Sequence, residues 1–163
     1  MRFGGIVLVV LLGLTACSSE PVPREPEASA SSATPPATLP SMPAQAKKDS
    51  PEGAAAFVKH YIDVVNLAAN SGRTKPMLSL SHECAPCDSF AMAFSDEPTG
   101  DQRFTGKLWS LKRIVASSDR APLIVRAELA VREGRESNPY AFAFILSESP
   151  PYKIQDIRMA DKS

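Results

Sequence analysis

The segment from residue 18 to residue 49 limits what this chain can fold into more than any other part of it. It holds seven of the 15 prolines, many serine, alanine and threonine residues, and few large apolar side chains. Such a composition buries too little apolar surface to offset the entropy lost on ordering, and proline favours extended backbone. The sequence therefore predicts a disordered tether over residues 17–49 and leaves residues 50–163 to fold.

The length and charge of the remaining chain limit its class. Residues 50–163 are enough for one hydrophobic core and too few for two, so a single domain is predicted. The whole chain carries 18 Lys+Arg and 18 Asp+Glu, which gives a formal net charge of zero. Nucleic-acid binding needs a basic face, and binding to anionic lipid through charge needs a basic cluster. We therefore expect no nucleic acid among the partners.

The N-terminus has the features of an export signal. Arg2 supplies a positive charge, and an apolar run follows over residues 6–14. As a helix this run spans about 14 Å, roughly half of a bilayer core that takes about 20 residues to cross. A charged start, a short apolar run and small residues at its end are typical of a secretory signal, predicted here for residues 1–16.

The end of the apolar run, Leu14-Thr15-Ala16-Cys17, resembles the bacterial lipobox. In signals of that kind the cysteine thiol is linked to diacylglycerol and the peptide is cut before the cysteine. Cys17 is thus the predicted lipid attachment site, and two acyl chains would anchor it firmly at about 0.8 kcal/mol per buried CH₂. The alternative is a plain signal peptide with a chance cysteine. The predicted location is the outer face of the cell membrane, with the bilayer as one partner.

Helical periodicity marks the start of the folded part. Ser50, Pro51 and Glu52 have the residue types of an N-cap, a first helical position and an acidic first turn. Apolar residues then recur at helical spacing, and Gly72 supplies a C-terminal stop. A helix is predicted over residues 51–70.

Two shorter helices are predicted next, one from Thr74 to about Leu80 and one that starts near Ala85. The composition of residues 95–102, rich in Asp, Pro and Gly, predicts a loop.

From Arg103 onward the apolar period changes to two, which predicts strands. One strand is predicted to have Trp109, Leu111, Arg113 and Val115 on a single face. In the next strand apolar and polar residues alternate from Leu123 to Val131. Gly134 to Pro139 is the predicted turn before a third strand. Short connections favour antiparallel pairing. The predicted class is α+β, with a long N-terminal helix and short helices packed against a curved antiparallel sheet of about four strands.

Several stretches resemble an uncharacterised family of actinobacterial lipoproteins, a domain of unknown function. The resemblance covers roughly residues 40–160 and is carried by Glu52-Gly53-Ala54, Tyr61-Ile62-Asp63, Asn66-Leu67-Ala68, and the pair Cys84 and Cys87. The order of elements is also similar to the SnoaL-like or nuclear-transport-factor-like cone. That cone hosts enzymes and non-enzymatic modules, so the resemblance implies a fold and no particular reaction.

The sequence Cys84-Ala85-Pro86-Cys87 allows three interpretations. A structural disulfide fits an exported protein. A redox dithiol fits the spacing and a helix start, although a thioredoxin-type site follows a strand in a βαβ unit. A metal site would need further ligands nearby, and none is predicted.

The remaining candidate residues do not converge on a reaction. Tyr61, Trp109 and Phe142 are the candidate lining of a ligand pocket, although an aromatic core explains them equally well. His60 is predicted to be solvated on the face opposite Ile62. Asp63 is predicted to be a surface residue. No catalytic residue, metal or cofactor is predicted.

These features favour a membrane-anchored extracytoplasmic lipoprotein whose domain binds an envelope protein or a small ligand without chemistry. One alternative is a SnoaL-like enzyme that acts on a small hydrophobic molecule. Another is a thiol–disulfide redox protein that uses Cys84 and Cys87.

Overall fold

The computed structural model describes residues 38–95, 105–117 and 122–160. The predicted signal peptide, Cys17, residues 17–37 of the predicted tether and most of the predicted 95–102 loop lie outside these residues. In chain order the described elements are a 3₁₀ turn (Ala44–Lys47), α1 (Pro51–Ser71), α2 (Lys75–Ser79), α3 (Ala85–Ser95), β1 (Trp109–Ala116), β2 (Leu123–Glu133), β3 (Glu136–Leu146) and β4 (Ile154–Met159).

The predicted α+β class is confirmed. The four strands form one antiparallel sheet in the order β1-β2-β3-β4, so each strand pairs with its neighbour in sequence. The helices pack against one face of this sheet, which we call the inner face. The core lies between them and contains α1 side chains such as Phe57 and Val65 together with Leu129 and Phe144 from the sheet.

Helix α1 begins and ends at the predicted signals. The Ser50 hydroxyl accepts a hydrogen bond from the backbone N–H of Gly53 at 3.1 Å, as an N-cap does. At the other end Gly72 has a φ of 71°, and its N–H bonds the carbonyl of Ala68 at 2.8 Å. A residue with a side chain is strained in this left-handed conformation, which is why glycine ends the helix here.

Part of the predicted tether packs on the domain. Residues 42–50, which we call the strap, lie across the start of α1, and Ala46 in the strap is buried in the core cluster. The strap approaches so closely that a Cβ on Gly53 would lie 2.0 Å from the backbone oxygen of Lys48. The predicted tether boundary at residue 49 is therefore wrong for the strap. The strap contains few apolar side chains, but Met42 and Ala46 pack against the core at α1.

Burial of α1 also corrects one side-chain prediction. His60 was expected in solvent and is only 6% exposed, whereas Asp63 is exposed as predicted. The strap, the shorter helices and β1 all contact α1, so its buried surface extends well beyond one stripe. Burial lowers the pKa of His60, and the nearby Asp63 opposes that shift.

The predicted single face of β1 is wrong beyond Leu111. The register with β2 shifts between Leu111 and Arg113, which leaves Lys112 as the extra residue of a β-bulge. Trp109 is buried, but Arg113 and Val115 are exposed, while Ile114 packs against the core. Because side chains alternate along a strand, one extra residue exchanges the two faces for everything that follows.

The β2–β3 hairpin is tighter than predicted. Glu133 pairs with Glu136, so only Gly134 and Arg135 form the loop, and the predicted turn over residues 134–139 is wrong. Gly134 has a φ of 64°, a positive value that primed hairpin turns require. Pro139 is instead part of β3, at a position beyond the segment that pairs with β4. A proline is tolerated there because no β4 partner requires its missing N–H.

Candidate ligand-binding groove

Cys84 and Cys87 form a disulfide at the start of α3. The two residues are 2% and 0% exposed, and the backbone N–H of Cys87 donates to Cys84 Sγ at 3.3 Å. Exchange with another thiol requires access to a sulfur atom, and this pair lies within the core cluster. Within the part of the chain that the structure describes, no group of three His, Cys, Asp or Glu side chains could hold a metal ion. The geometry thus favours the structural interpretation of the pair.

The three predicted pocket residues lie within the aromatic core. Trp109 and Phe142 stack with ring centroids 5.6 Å apart, and Phe90 meets Trp109 edge-on at 5.3 Å. Tyr61 meets Phe144 edge-on at 6.2 Å. None of Tyr61, Trp109 and Phe142 lines either of the two cavities described below. Their geometry is that of offset and edge-to-face aromatic packing, which contributes about 0.5–1.5 kcal/mol per pair beyond burial.

Tyr61 has one unusual property. Its hydroxyl is fully buried and has no hydrogen-bond partner among the described residues. Burial and the negative charge of Asp88 raise the pKa of Tyr61 far above its ordinary value, so the side chain stays neutral.

A groove crosses the other face of the sheet, which we call the outer face. It has a volume of about 480 Å³ and is lined by side chains and backbone of β1, β2 and β3 and by Ala160 after β4. Sites for small molecules occupy about 300–1,000 Å³, so the groove is of sufficient size for one. Its principal side chains are Lys112, Arg113, Val115, Arg126, Glu128 and Ala141.

The alternation of β3 explains why there is a groove. Residues that face inward on this strand are large, namely Tyr140, Phe142, Phe144 and Leu146. Residues that face outward include Pro139 and Ala141, which are opposite Ala130 and Glu128 of β2. Alanine is disfavoured in strands, and solvent-facing positions usually carry polar or β-branched residues. Because the outward side chains of β3 are short, the longer ones of β1 and β2 stand above them as a wall.

The bulge at Lys112 supplies much of that wall. It turns Arg113 and Val115 outward, where they lie opposite Glu128 and Arg126 respectively. Val115 is 51% exposed, an apolar side chain presented to solvent beside charged ones. The groove therefore combines an apolar floor with polar groups at its edge, the usual composition of a ligand site.

The charges of the groove are not balanced. It contains three cationic side chains and one carboxylate. Arg113 Nη1 lies 3.4 Å from Glu128 Oε1, an exposed pair that contributes about 0–1 kcal/mol. Neither Lys112 nor Arg126 has a hydrogen bond or ion pair with any residue that the structure describes. With respect to the described residues, Arg126 thus presents an uncompensated guanidinium beside an apolar floor.

A second cavity, of about 490 Å³, lies between the strap and the loop before β4. Met42, Ala46, Phe57, Leu80 and Tyr152 contribute apolar surface, and Lys47 and Lys153 are its charged residues. Lys153 Nζ donates to the carbonyl of Ser79, and the Tyr152 hydroxyl donates to the carbonyl of Lys48 at 3.1 Å. These bonds fasten the strap and the loop to the domain, so this cavity belongs to the packing of the strap.

Sequence reasoning did not identify the groove residues. Lys112-Arg113 interrupts the apolar alternation of β1, and this interruption is the local sign of the bulge. The alternation of aromatic residues with Pro139, Ala141 and Ala143 was the other available sign. Neither indicates a groove until the strands are placed side by side.

Together the fold and the groove define a small α+β domain with a disulfide in its core and a concave, cationic outer sheet face. The chain belongs to a family of unknown function, DUF6318, whose pattern matches residues 24–119. No curated protein and no solved structure matches the chain. Among the described residues no helix is long and apolar enough to cross a membrane.

Proposed function

We propose that this chain is a lipid-anchored extracytoplasmic lipoprotein whose domain binds a ligand in the outer-face groove without chemical change. The groove, whose Arg126 guanidinium has no partner among the described residues, is the observation that carries the binding role. The lipobox-like Leu14-Thr15-Ala16-Cys17 supports the anchor, with residues 1–16 removed and Cys17 acylated.

The disulfide supports the proposed compartment. Structural disulfides persist in oxidising environments and are rare in reducing ones. Cys84 and Cys87 pair with each other, so Cys17 is left as the remaining cysteine of the three. A remaining cysteine at the end of an export signal is the residue that lipid modification would use.

The groove supports binding more than catalysis. General acid–base catalysis needs a titratable group whose pKa is tuned to its task and that can reach the substrate. Of the side chains that line the groove, Glu128 is half-exposed and contacts Arg113, and the remaining charged groups are cations. Such a set can attract and orient an anion.

The anchor is tested by lipid labelling in cells. Wild-type chain should incorporate radiolabelled palmitate and partition into the detergent phase, because acylated Cys17 holds it there. Cys17→Ala should lose both properties, whereas the neighbouring variant Ser18→Ala should keep them. Equal labelling of Cys17→Ala and wild type would refute the anchor.

The binding role is tested by filling the groove. Full-length chain in phosphatidylcholine vesicles is exposed to a neutral alkyl diazirine probe, and labelled peptides are identified by mass spectrometry. Saturable labelling is expected on peptides that contain residues 126–141 in the wild type. Ala141→Leu should reduce that labelling, because the added side chain fills the floor. Ser137→Leu adds the same side chain on the same strand outside the groove and should leave labelling unchanged.

A further inference from the structure

We propose that the ligand of the outer-face groove is a small amphiphile with one carboxylate and a short aliphatic chain. This inference rests on the proposed function, because it concerns the same groove. It follows from three features of that surface: its charge, the arrangement of that charge, and its apolar floor.

The charge of the groove favours an anion. Lys112 and Arg126 have no partner of opposite charge among the described residues, and Glu128 is already in contact with Arg113. A guanidinium presents a fixed fork of N–H donors that matches the two oxygens of a carboxylate. A carboxylate at Arg126 would find its charge matched, whereas a cation there would meet three like charges.

The arrangement of the strands places the cations at one side of the groove. Val115 lies directly opposite Arg126 across β1 and β2, and Arg113 lies opposite Glu128 two residues further along. Directly opposed side chains in a sheet have Cβ atoms about 4.5–5.5 Å apart, and diagonal neighbours lie within reach of long side chains. Arg113 and Arg126 are therefore diagonal neighbours on the same face, and a single anionic group can approach both.

The floor favours an aliphatic chain. On the β3 side of the cations the groove is lined by Pro139, Tyr140 and Ala141, and Ala160 follows at the β4 side. The Tyr140 hydroxyl already donates to Glu133 at 2.8 Å, and the other three side chains carry no hydrogen-bonding group, so a polar tail would lose its water without a replacement. An aliphatic tail on this surface would remove apolar area from water at about 25 cal/mol per Å².

The test compares probes that share a tail and differ in charge. Full-length chain in phosphatidylcholine vesicles is photolabelled with an octanoate that carries a diazirine in its chain. We expect saturable labelling of the groove peptides, competition by octanoate, and at least about tenfold weaker competition by octyltrimethylammonium. Arg126→Ala should weaken octanoate competition by about tenfold, the loss of one charge-assisted contact. Arg135→Ala removes the same side chain from the hairpin loop, outside the groove, and should have no effect.

The possible failures are distinguishable. If labelling of the groove is lost in Ala141→Leu but octanoate and octyltrimethylammonium compete equally, the groove binds ligands and the carboxylate inference is wrong. If a hexaglutamate peptide displaces the probe and octanoate does not, the cations serve an acidic protein partner and the inference is also wrong. If labelling is not saturable, or lies outside the groove and is unchanged in Ala141→Leu, the proposed function itself fails.

Discussion

The side-chain amide of Asn66 bonds both backbone polar groups of Trp109. Its Nδ2 donates to the Trp109 carbonyl at 2.9 Å, and its Oδ1 accepts from the Trp109 N–H at 2.8 Å. Trp109 begins β1, which lies at the edge of the sheet. Asn66 thus takes the place of a neighbouring strand at this point, and it joins α1 to the sheet. Sheet edges present unpaired backbone groups, and this amide covers one such pair.

Asn66→Ala should lower the free energy of unfolding by about 2–4 kcal/mol, because it removes two buried hydrogen bonds and leaves two backbone groups without partners. Urea denaturation followed by circular dichroism measures the change. Asn70→Ala is the matched control, since Asn70 lies at the end of the same helix, is only partly buried, and bonds a single carbonyl, that of Gly106, at 2.8 Å. It should cost less than about 1 kcal/mol. A loss no larger for Asn66→Ala than for Asn70→Ala would contradict the role given to Asn66.

Gly53→Ala should destabilise the domain, although the same change at an open helical site stabilises by about 0.5–1 kcal/mol. The new Cβ would meet the backbone oxygen of Lys48, so the strap would have to move away from α1. Trypsin should then cleave faster after Lys47 and Lys48 than in the wild type. Glu52→Ala, an exposed change in the same turn, should leave cleavage at its wild-type rate. Unchanged cleavage in Gly53→Ala would mean that the strap is not held by this contact.

Stability should fall on mild acidification, partly through His60. Burial lowers the pKa of His60 below that of the unfolded chain, so the unfolded state binds the proton more readily. The contribution of neutral His60 is therefore complete above the unfolded pKa and is lost as the pH falls through the folded pKa. Between about pH 7 and about pH 5, His60→Gln should lose less stability than the wild type. Identical profiles for His60→Gln and the wild type would show that His60 does not contribute.

The double variant Cys84→Ser/Cys87→Ser should fold and should lose about 2 kcal/mol of stability, the loop-entropy value for so short a ring. Melting curves of wild type and variant measure the difference. A reductant added to the folded wild type should act slowly, since both sulfur-bearing residues are buried. Rapid reduction of the folded protein by a small thiol would favour the redox alternative.

Local signals were enough to predict most of the elements. The cap at Ser50, the stop at Gly72 and the alternation from Leu123 to Val131 each depend on a few adjacent residues, and each is confirmed. These local signals gave wrong predictions where one extra residue shifted the strand alternation or where the hairpin loop was shorter than the composition suggested. Lys112 exchanges the two faces of β1, and Gly134 with Arg135 makes a two-residue loop that leaves Pro139 in a strand.

Local signals do not predict the groove or the burial of His60, because both depend on elements far apart in sequence. Arg126 and Val115 are neighbours only once β1 and β2 pair. The strap becomes ordered only because α1 offers it a surface, which its own composition does not reveal.

The sequence by itself determined the α+β class and the succession of helices and strands, because apolar periodicity, caps and turns act over a few residues. It also determined which two cysteines are close enough to pair within one turn of helix. Only the tertiary structure decided which side chains of β1 face the core, that residues 42–50 pack on α1, and that Arg126, beside an apolar floor, has no ionic partner among the described residues. The physical reason is that burial and charge compensation are properties of neighbours in space, and one bulge or one close contact changes those neighbours without changing the local pattern.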